Sequence, residues 1–233
     1  ALYCVAGKVS EQELLQLRQF QSPLEGHPTM RFPYTESATG SLGQGLSIGL
    51  GMALNAKLDK LSYKTYVLLG DSEMAEGSNW EAIQLAAHYK LDNLVGVIDV
   101  NRLGQRGQTM LGHDIQGYED RIKAFGWNTY LIHDGHDLSH VAAAYEFALM
   151  QTKKPTMLIA KTIKGKGCAF WEDQENWHSK QLSAEQLGQC LNEMGEVDHS
   201  LVGQVSAPEE ILPISPVQTD QIPAYHVEHK MYS

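Results

Sequence analysis

Two oxygen-bearing side chains stand one strand–helix–strand unit apart in this sequence. Asp71 comes two residues after Leu69, and Asn101 comes directly after Val100, each at the end of an apolar run. Carboxylate, amide and backbone carbonyl oxygens suit Mg²⁺ or Ca²⁺ when phosphate oxygens and water complete the coordination shell. Gly70 allows a diphosphate to approach the backbone closely. Taken alone, a Gly-Asp pair after a strand is more typical of an ordinary turn before a helix, so other motifs must decide.

The elements that would position these residues alternate along the chain. Short runs with β-branched residues predict four strands, at 65–69, 94–99, 128–132 and 156–160. Helical patterns lie between them, at 78–90, 118–125 and 138–151. This alternation predicts an α/β fold with a parallel sheet flanked by helices on both faces. Ligands of such sheets bind beyond the carboxyl ends of the strands, where Asp71 and Asn101 would share one crevice.

Two local patterns refine the helices. Ser78 and Glu81 have the spacing of a capping box, which predicts a helix that begins after Ser78. The segment 40–55 is apolar and rich in glycine, which predicts a helix packed closely against another backbone.

Composition limits the possible functions. The 233 residues suffice for one domain with an extension, and 42% hydrophobic with 20% charged residues is ordinary for a soluble protein. No run approaches the roughly 18 apolar residues of a membrane span, so we expect no membrane partner. The net charge of -10 argues against binding of nucleic acid, whose phosphates attract cationic side chains.

The cysteines and the first residues bear on the compartment. Cys4, Cys168 and Cys190 are odd in number and lack CxxC spacing, so the sequence predicts neither a disulfide framework nor a zinc site. A reducing cytoplasm is the expected location. The start at Ala1 has neither an initiator Met nor a basic targeting region, and we expect it to be the interior of something longer.

Longer motifs decide between the turn and the metal site. Several segments together resemble the thiamine diphosphate motif of transketolases: Gly70-Asp71-Ser72, Glu76-Gly77, Trp80-Glu81-Ala82, Tyr89-Lys90-Leu91-Asp92-Asn93-Leu94 and Asp99-Val100-Asn101-Arg102-Leu103-Gly104-Gln105. Further segments match the family in order: Leu24-Glu25-Gly26-His27-Pro28, Thr39-Gly40-Ser41-Leu42-Gly43-Gln44-Gly45, Lys161-Thr162-Ile163-Lys164-Gly165-Lys166-Gly167 and Trp177-His178-Ser179-Lys180. The resemblance covers roughly residues 2–191.

The resemblance implies thiamine diphosphate and a divalent cation, Mg²⁺ or else Ca²⁺ or Mn²⁺, as cofactors. It assigns the metal to Asp71, Asn101 and the carbonyl of Leu103. The residues that it places against the organic cofactor are Gly40, Ser41, Leu42, Gly70, Asp71, Ser72, Asn101, Lys164 and His178, with Lys180 as a weaker contact. Among them, Gly40, Ser41 and Leu42 would line the aminopyrimidine and thiazolium side.

The resemblance also implies roles for polar residues outside the metal motif. His27 and His178 are similar to the two active-site histidines of the family, which bind substrate oxygens and move protons near neutral pH. Glu76 is similar to a glutamate at the interface between subunits, although an exposed loop glutamate is the ordinary alternative. Ser72 departs from the more frequent glycine, so a Cβ must fit where the backbone approaches phosphate.

The implied reaction is transfer of a two-carbon ketol unit from a ketose phosphate to an aldose phosphate, in the pentose phosphate pathway. The family's activating glutamate belongs to a pyrimidine-binding domain. We therefore expect residues 1–195 to be the diphosphate and metal domain, and the proline-containing segment 196–233 to be a linker towards that missing domain. A pyrimidine-binding domain or subunit is the expected partner, within a homodimer or heterotetramer. By itself the chain would be inactive.

Two kinds of alternative remain open. Dihydroxyacetone synthase, deoxyxylulose phosphate synthase and dehydrogenase E1 components share the metal motif, although the segment 172–177 before His178 favours transketolase. A binding or regulatory module of the same fold is the other alternative. Retention of Asp71, Asn101, His27 and His178 argues against it.

Overall fold

The computed structural model describes residues 2–196, 198 and 200–204. Its centre is a parallel sheet of four strands in the order β1-β2-β4-β3. The strands are β1 (Thr65–Gly70), β2 (Leu94–Val100), β3 (Asn128–Ile132) and β4 (Thr156–Lys161). The four predicted strands are confirmed to within one residue, and the predicted α/β class with them.

One face of the sheet is covered by three helices, which are α3 (Gly45–Leu58), α4 (Gly77–His88) and α5 (Ile115–Ala124). Leu46, Ile83 and Ile122 from these helices are fully buried in one cluster with Leu94 and Ile98 of β2. Burial of such side chains stabilises a fold by roughly 1.5–3 kcal/mol each. This cluster fixes the positions of β1 and β2, and therefore of the loops at their ends.

The other face carries α6 (Leu138–Met150), which packs on β3 and β4 through Ala144 and Ala148. Helices thus lie on both faces, as predicted, but α6 reaches β1 only through Tyr145, whose ring lies 5.9 Å from that of Tyr66. There Tyr66 is 47% and Leu68 74% exposed, while the alternate residues of β1 are buried. Within the described part, the far end of the sheet therefore presents apolar side chains to solvent.

Short elements complete the described chain: α1 (Leu2–Val5), α2 (Glu11–Leu14), a 3₁₀ turn at Glu73–Ala75, and α7 (Ala184–Met194). No helix in the described ranges is both long and apolar enough to cross a membrane. The predicted linker falls mainly on residues 205–233, which lie outside the described residues.

The capping-box prediction is wrong. Helix α4 begins at Gly77, so Ser78 lies inside it, and the Ser78 hydroxyl donates to the Gly43 carbonyl at 2.8 Å. The glycine-rich helix also begins later than predicted, at Gly45, because residues 40–44 form a loop. Gly49 in this helix packs against the Val67 side chain of β1, so the close approach occurs within the chain.

The prediction that the cysteines form no disulfide is also wrong. The sulfurs of Cys168 and Cys190 are bonded in the structure, with their Cα atoms 5.2 Å apart, and Cys4 is free. Cys168 lies in the loop after β4 and Cys190 lies in α7, and both side chains are buried. The pairing depends on α7 folding back over that loop, which cysteine spacing does not reveal.

Candidate active site

The ends of three strands bring the candidate site together. In the register of the sheet, Gly70 at the end of β1 lies beside Asp99, and Val100 at the end of β2 lies beside Lys161 of β4. The segments that begin at Asp71, Asn101 and Thr162 therefore leave the sheet at one edge. Here the strands have their carboxyl ends, beyond which parallel sheets bind ligands.

Asp71 is a buried carboxylate that accepts from three donors. It is 3% exposed, and its Oδ1 accepts from the Ser72 N–H at 2.9 Å. Its Oδ2 accepts from the Arg102 N–H at 2.7 Å and from the Thr109 hydroxyl at 3.1 Å. Burial raises the pKa of Asp71 above its usual value, and the charge of Asp99 adds to this, although the hydrogen bonds oppose it. Ionised Asp71 would therefore gain from a nearby cation.

Asn101 and Leu103 supply further oxygen atoms at the same edge. The Asn101 Nδ2 donates to Asp99 Oδ2 at 3.0 Å, which directs Asn101 Oδ1 the other way, towards the Leu103 N–H at 3.1 Å. Asp99 is held in turn by the Thr162 hydroxyl. The Leu103 carbonyl lies 3.5 Å from Lys164 Nζ, so it faces a cationic group.

This donor set fits a hard cation. Its oxygen atoms come from one carboxylate, one amide and one carbonyl, which are ligands of Mg²⁺, Ca²⁺ and Mn²⁺. In the part of the chain that the structure describes, no cluster of three or more His, Cys, Asp or Glu side chains could hold a metal. A cation bound by Asp71 would therefore need ligand or water oxygens as well.

The backbone beside Asp71 is uncrowded at Gly70. A Cβ placed on Gly70 would meet only Ser72 Oγ and Glu73 Cβ, both at 4.0 Å. Ser72 has φ −68° and ψ −34°, which is ordinary right-handed backbone, so a side chain at this position causes no backbone strain. The departure from glycine is therefore compatible with the observed turn.

A second loop reaches the site through Glu73. Its carboxylate accepts from the Gly43 N–H at 2.8 Å and from the Gly70 N–H at 3.2 Å, and so joins the loop 40–44 to the end of β1. Gly40 has φ +134°, and a Cβ there would lie 2.8 Å from the ring of His27. His27 and Gly40 thus pack together, while Ser41 and Leu42 are exposed.

The loop after β4 brings Lys164 and His178 together. Lys164 Nζ lies 3.4 Å from His178 Nδ1 as well as near the Leu103 carbonyl. Lys180 Nζ lies 4.0 Å from the centre of the Trp177 ring, a cation–π contact. The proposed contacts on this loop therefore fall into two groups. Lys164 lies beside the Leu103 carbonyl and His178 lies beside Lys164, whereas Lys180 lies against Trp177.

Comparison with known proteins places this site in a family. The family model described as "Transketolase, thiamine diphosphate binding domain" matches residues 2–207. The chain belongs to the transketolase family. The match includes every residue that the sequence analysis assigns to metal or cofactor.

Individual relatives agree with the transketolase assignment. Transketolase-like protein 2 of Bos taurus is 48% identical over 219 residues, which are 94% of this chain and 34% of that protein. Transketolase of Homo sapiens is 42% identical over 236 residues, 99% of this chain and 37% of that protein. The crystal structure of transketolase from Campylobacter jejuni superposes with a TM-score of 0.76 at 31% identity, over 84% of this chain and 32% of that one. The chain thus spans about a third of the length of these transketolases.

A bacterial relative has a different extent. This protein of Phocaeicola vulgatus, named as one of the subunits of apulose-4-phosphate transketolase, is 43% identical over 190 residues. Those residues are 82% of this chain and 67% of that protein. By its name, that transketolase is built from more than one kind of chain.

Four residues around the candidate site escape sequence reasoning. Glu73, Thr109 and Tyr118 hold the loops around Asp71, and Asp173 accepts from the Arg102 guanidinium. The Tyr118 hydroxyl donates to the Asp71 carbonyl at 3.2 Å, and burial together with the Asp71 charge raises the pKa of Tyr118 to about 12. Only Glu73 had a signal in the sequence, because it adjoins the Gly-Asp-Ser motif.

Proposed function

We propose that this chain is the diphosphate- and metal-binding part of a transketolase, an enzyme that moves a two-carbon ketol unit from a ketose phosphate to an aldose phosphate. The observation that carries the proposal is the grouping of Asp71, Asn101 and Leu103 oxygens at one sheet edge, beside Lys164 and His178. The family match supports the cofactor that this grouping would serve.

Different residues of this chain would bind different parts of the cofactor and its cation. Asp71 Oδ, Asn101 Oδ1 and the Leu103 carbonyl would hold the divalent cation, Mg²⁺ or else Ca²⁺ or Mn²⁺. Backbone donors at Gly70 and Ser72 would bind the diphosphate by exchanging the Glu73 and Asp71 carboxylate oxygens, to which they donate in this structure, for phosphate oxygens. When bound, thiamine diphosphate supplies a nucleophilic carbon and an electron sink.

A further set of contacts would come from the loop 40–44. Gly40, Ser41 and Leu42 would line the ring side of the cofactor. Glu73 supports this assignment, because it holds Gly43 of the same loop against the end of β1.

The contact between Lys164 and His178 bears on which imidazole nitrogen carries the proton. An ammonium group has only donors, so a hydrogen bond across this 3.4 Å contact would have His178 Nδ1 as its acceptor. In the neutral ring the proton then lies on Nε2, from which His178 would donate to a substrate carbonyl or hydroxyl. The Lys164 charge would at the same time offset phosphate charge. His27 would provide a second substrate contact from the loop beside Gly40.

The proposed enzyme needs a second half. Residues 1–195 would form the diphosphate domain, and 196–233 would lead to a pyrimidine-binding domain or subunit that supplies the activating glutamate. The size of the relatives and the subunit composition of the bacterial one support this arrangement. A homodimer or heterotetramer in the cytoplasm, with exposed Glu76 at the contact between subunits, completes the proposal.

The alternatives differ in substrate or in turnover. Dihydroxyacetone synthase and deoxyxylulose phosphate synthase would use the same metal site with other substrates. A binding or regulatory module would keep the cofactor site without turnover, and relatives named transketolase-like make this a candidate to test.

One assay tests the proposal. The chain, supplied with a pyrimidine-binding half, should convert xylulose 5-phosphate and ribose 5-phosphate in a coupled assay. Asp71→Ala and Asn101→Ala should each abolish metal-dependent binding of thiamine diphosphate in calorimetry, because a cation bound through a diphosphate does not readily replace a lost oxygen ligand. Asp120→Ala on the exposed side of α5 is the control. Wild-type affinity in Asp71→Ala or Asn101→Ala, with circular dichroism unchanged, would refute the site.

A further inference from the structure

An ion pair joins the two loops from which the candidate site is built. Arg102 lies between the proposed ligands Asn101 and Leu103 and has left-handed backbone, with φ 64°. Its side chain crosses to the loop after β4, where Nε lies 2.6 Å from Asp173 Oδ1 and Nη2 lies 2.8 Å from the Asp173 carbonyl. Two donors of one guanidinium thus bind two oxygens of one residue, which fixes its orientation as well as its position.

Each end of the ion pair is tied to a group of the site. The Arg102 N–H donates to Asp71 Oδ2 at 2.7 Å. The Asp173 N–H donates to the Lys164 carbonyl at 2.9 Å, and Lys164 Nζ returns to the Leu103 carbonyl at 3.5 Å. Together these contacts form a closed ring through both loops. The Arg102–Asp173 ion pair is the contact in this ring that joins two side chains.

We propose that Arg102 and Asp173 are positioning residues, which set the loop of the metal ligands against the loop that carries Lys164 and His178. The inference rests on the proposed function, because that function gives both loops one cofactor to hold. Partly exposed ion pairs contribute little to overall stability, and these side chains are 23% and 40% exposed. Their effect should therefore appear in the coupling of the loops and in cofactor affinity.

The same loop contains a matched control. Glu172 adjoins Asp173 and pairs with Lys166, whose Nζ lies 3.1 Å from Glu172 Oε1. Its other oxygen accepts from the Gly167 N–H at 3.2 Å. Both of these partners belong to the loop after β4. Glu172→Gln therefore removes one negative charge from this loop without touching the loop of Asn101 and Leu103. Asp173→Asn removes the charge that pairs with Arg102 and leaves an amide oxygen and the main-chain carbonyl as weaker, neutral acceptors.

The first experiment is hydrogen exchange of the chain without metal or cofactor. In Asp173→Asn the amides of residues 101–109 should exchange about three to ten times faster, because the charge-assisted bond that attaches their loop across the site becomes a weaker neutral one. Glu172→Gln should leave those amides at the wild-type rate. Wild-type exchange of 101–109 in Asp173→Asn, or an equal increase in both variants, would overturn the inference.

The second experiment measures Mg²⁺-dependent affinity for thiamine diphosphate on the chain supplied with its pyrimidine-binding half. Asp173→Asn should weaken binding about threefold to tenfold, and Asp173→Glu should recover part of it. The double variant, Arg102→Met with Asp173→Asn, should bind thiamine diphosphate no more weakly than whichever of the two single variants binds it more weakly. Additive losses would overturn the inference.

Asp71→Ala separates the two hypotheses. If it loses affinity while Asp173→Asn keeps wild-type affinity, the positioning role is wrong and the metal site stands. If Asp71→Ala itself keeps wild-type affinity, the proposed function fails, and the exchange experiment still decides whether Arg102 and Asp173 join the loops.

Discussion

Burial of Asp71 makes a proton and a cation compete for one carboxylate. Its folded pKa lies above its unfolded value, mainly because the side chain is buried. The protonated form therefore stabilises the fold at low pH, and this contribution is lost as the pH rises through the folded pKa. At neutral pH the ionised carboxylate is a cost to the metal-free fold, which a bound cation offsets.

We predict that Mg²⁺ affinity, with inorganic diphosphate as second ligand, falls during acidification at a higher pH than an ordinary aspartate would cause. Protonated Asp71 loses the charge that attracts the cation. Calorimetry over a pH series measures the effect. Asp71→Asn serves as control, because it experiences the same titration of diphosphate without the carboxylate. Identical pH profiles for Asp71→Asn and the wild type would contradict the prediction.

His178 is an exposed residue whose role depends on one neighbour. If His178 Nδ1 accepts from Lys164 Nζ, as proposed, the neutral ring carries its N–H on Nε2. His178→Ala, in the chain supplied with its second half, should lower kcat about 10²–10⁴-fold and leave cofactor affinity nearly unchanged. Steady-state kinetics and calorimetry separate the two quantities. His140→Ala, at an exposed position of α6, should leave both kcat and cofactor affinity unchanged. Wild-type kcat and KM in His178→Ala would remove His178 from the proposed catalytic residues.

At the scale of elements, the bond between Cys168 and Cys190 closes the loop that carries His178. The two residues are 22 apart in sequence, and closing a loop of this length stabilises a fold by about 2–4 kcal/mol, chiefly through the unfolded state. We predict that Cys190→Ser lowers the free energy of unfolding in urea by about this amount under oxidising conditions. Under reducing conditions the difference should nearly vanish, and Cys4→Ser should resemble wild type in both.

Counting thiols gives an independent check of this bond. Alkylation of the oxidised native chain, followed by mass spectrometry, should label Cys4 alone. Labelling of Cys168 and Cys190 without reductant would show that the bond does not form. In a reducing cytoplasm the pair would be two thiols, so the oxidised form belongs to more oxidising conditions.

The elements also show what sequence patterns can and cannot predict. The strands were predicted well because buried β-strands produce short apolar runs, as in 156–160. The capping box failed because Ser78 has a tertiary partner, Gly43, that outweighs a local motif. Asp71 and Asn101 could be predicted from strand ends and family motifs. Asp173 could not, since its contact with Arg102 depends on how two distant loops meet.

At the scale of the whole molecule, the proposed site would bind only one end of the cofactor. Asp71 and its neighbours would hold the diphosphate end, while the activating glutamate is expected from another domain. We predict that the chain alone binds thiamine diphosphate poorly and shows no ketol transfer, because orientation and preorganised charges at the reacting carbon are lacking. Adding the pyrimidine-binding half should restore turnover and raise affinity together. Robust turnover by the chain alone would require an activating carboxylate within residues 1–233.

The uncovered end of the sheet has a consequence for the life of this polypeptide in a cell. Tyr66 and Leu68 project from one face of β1, which is one of the two edge strands of the described sheet. Apolar side chains on an unpaired edge attract other strands and the chaperones that hold unfinished proteins. Quality control would then retain the polypeptide until a partner covers β1, and its cellular half-life would depend on how much of that partner is made.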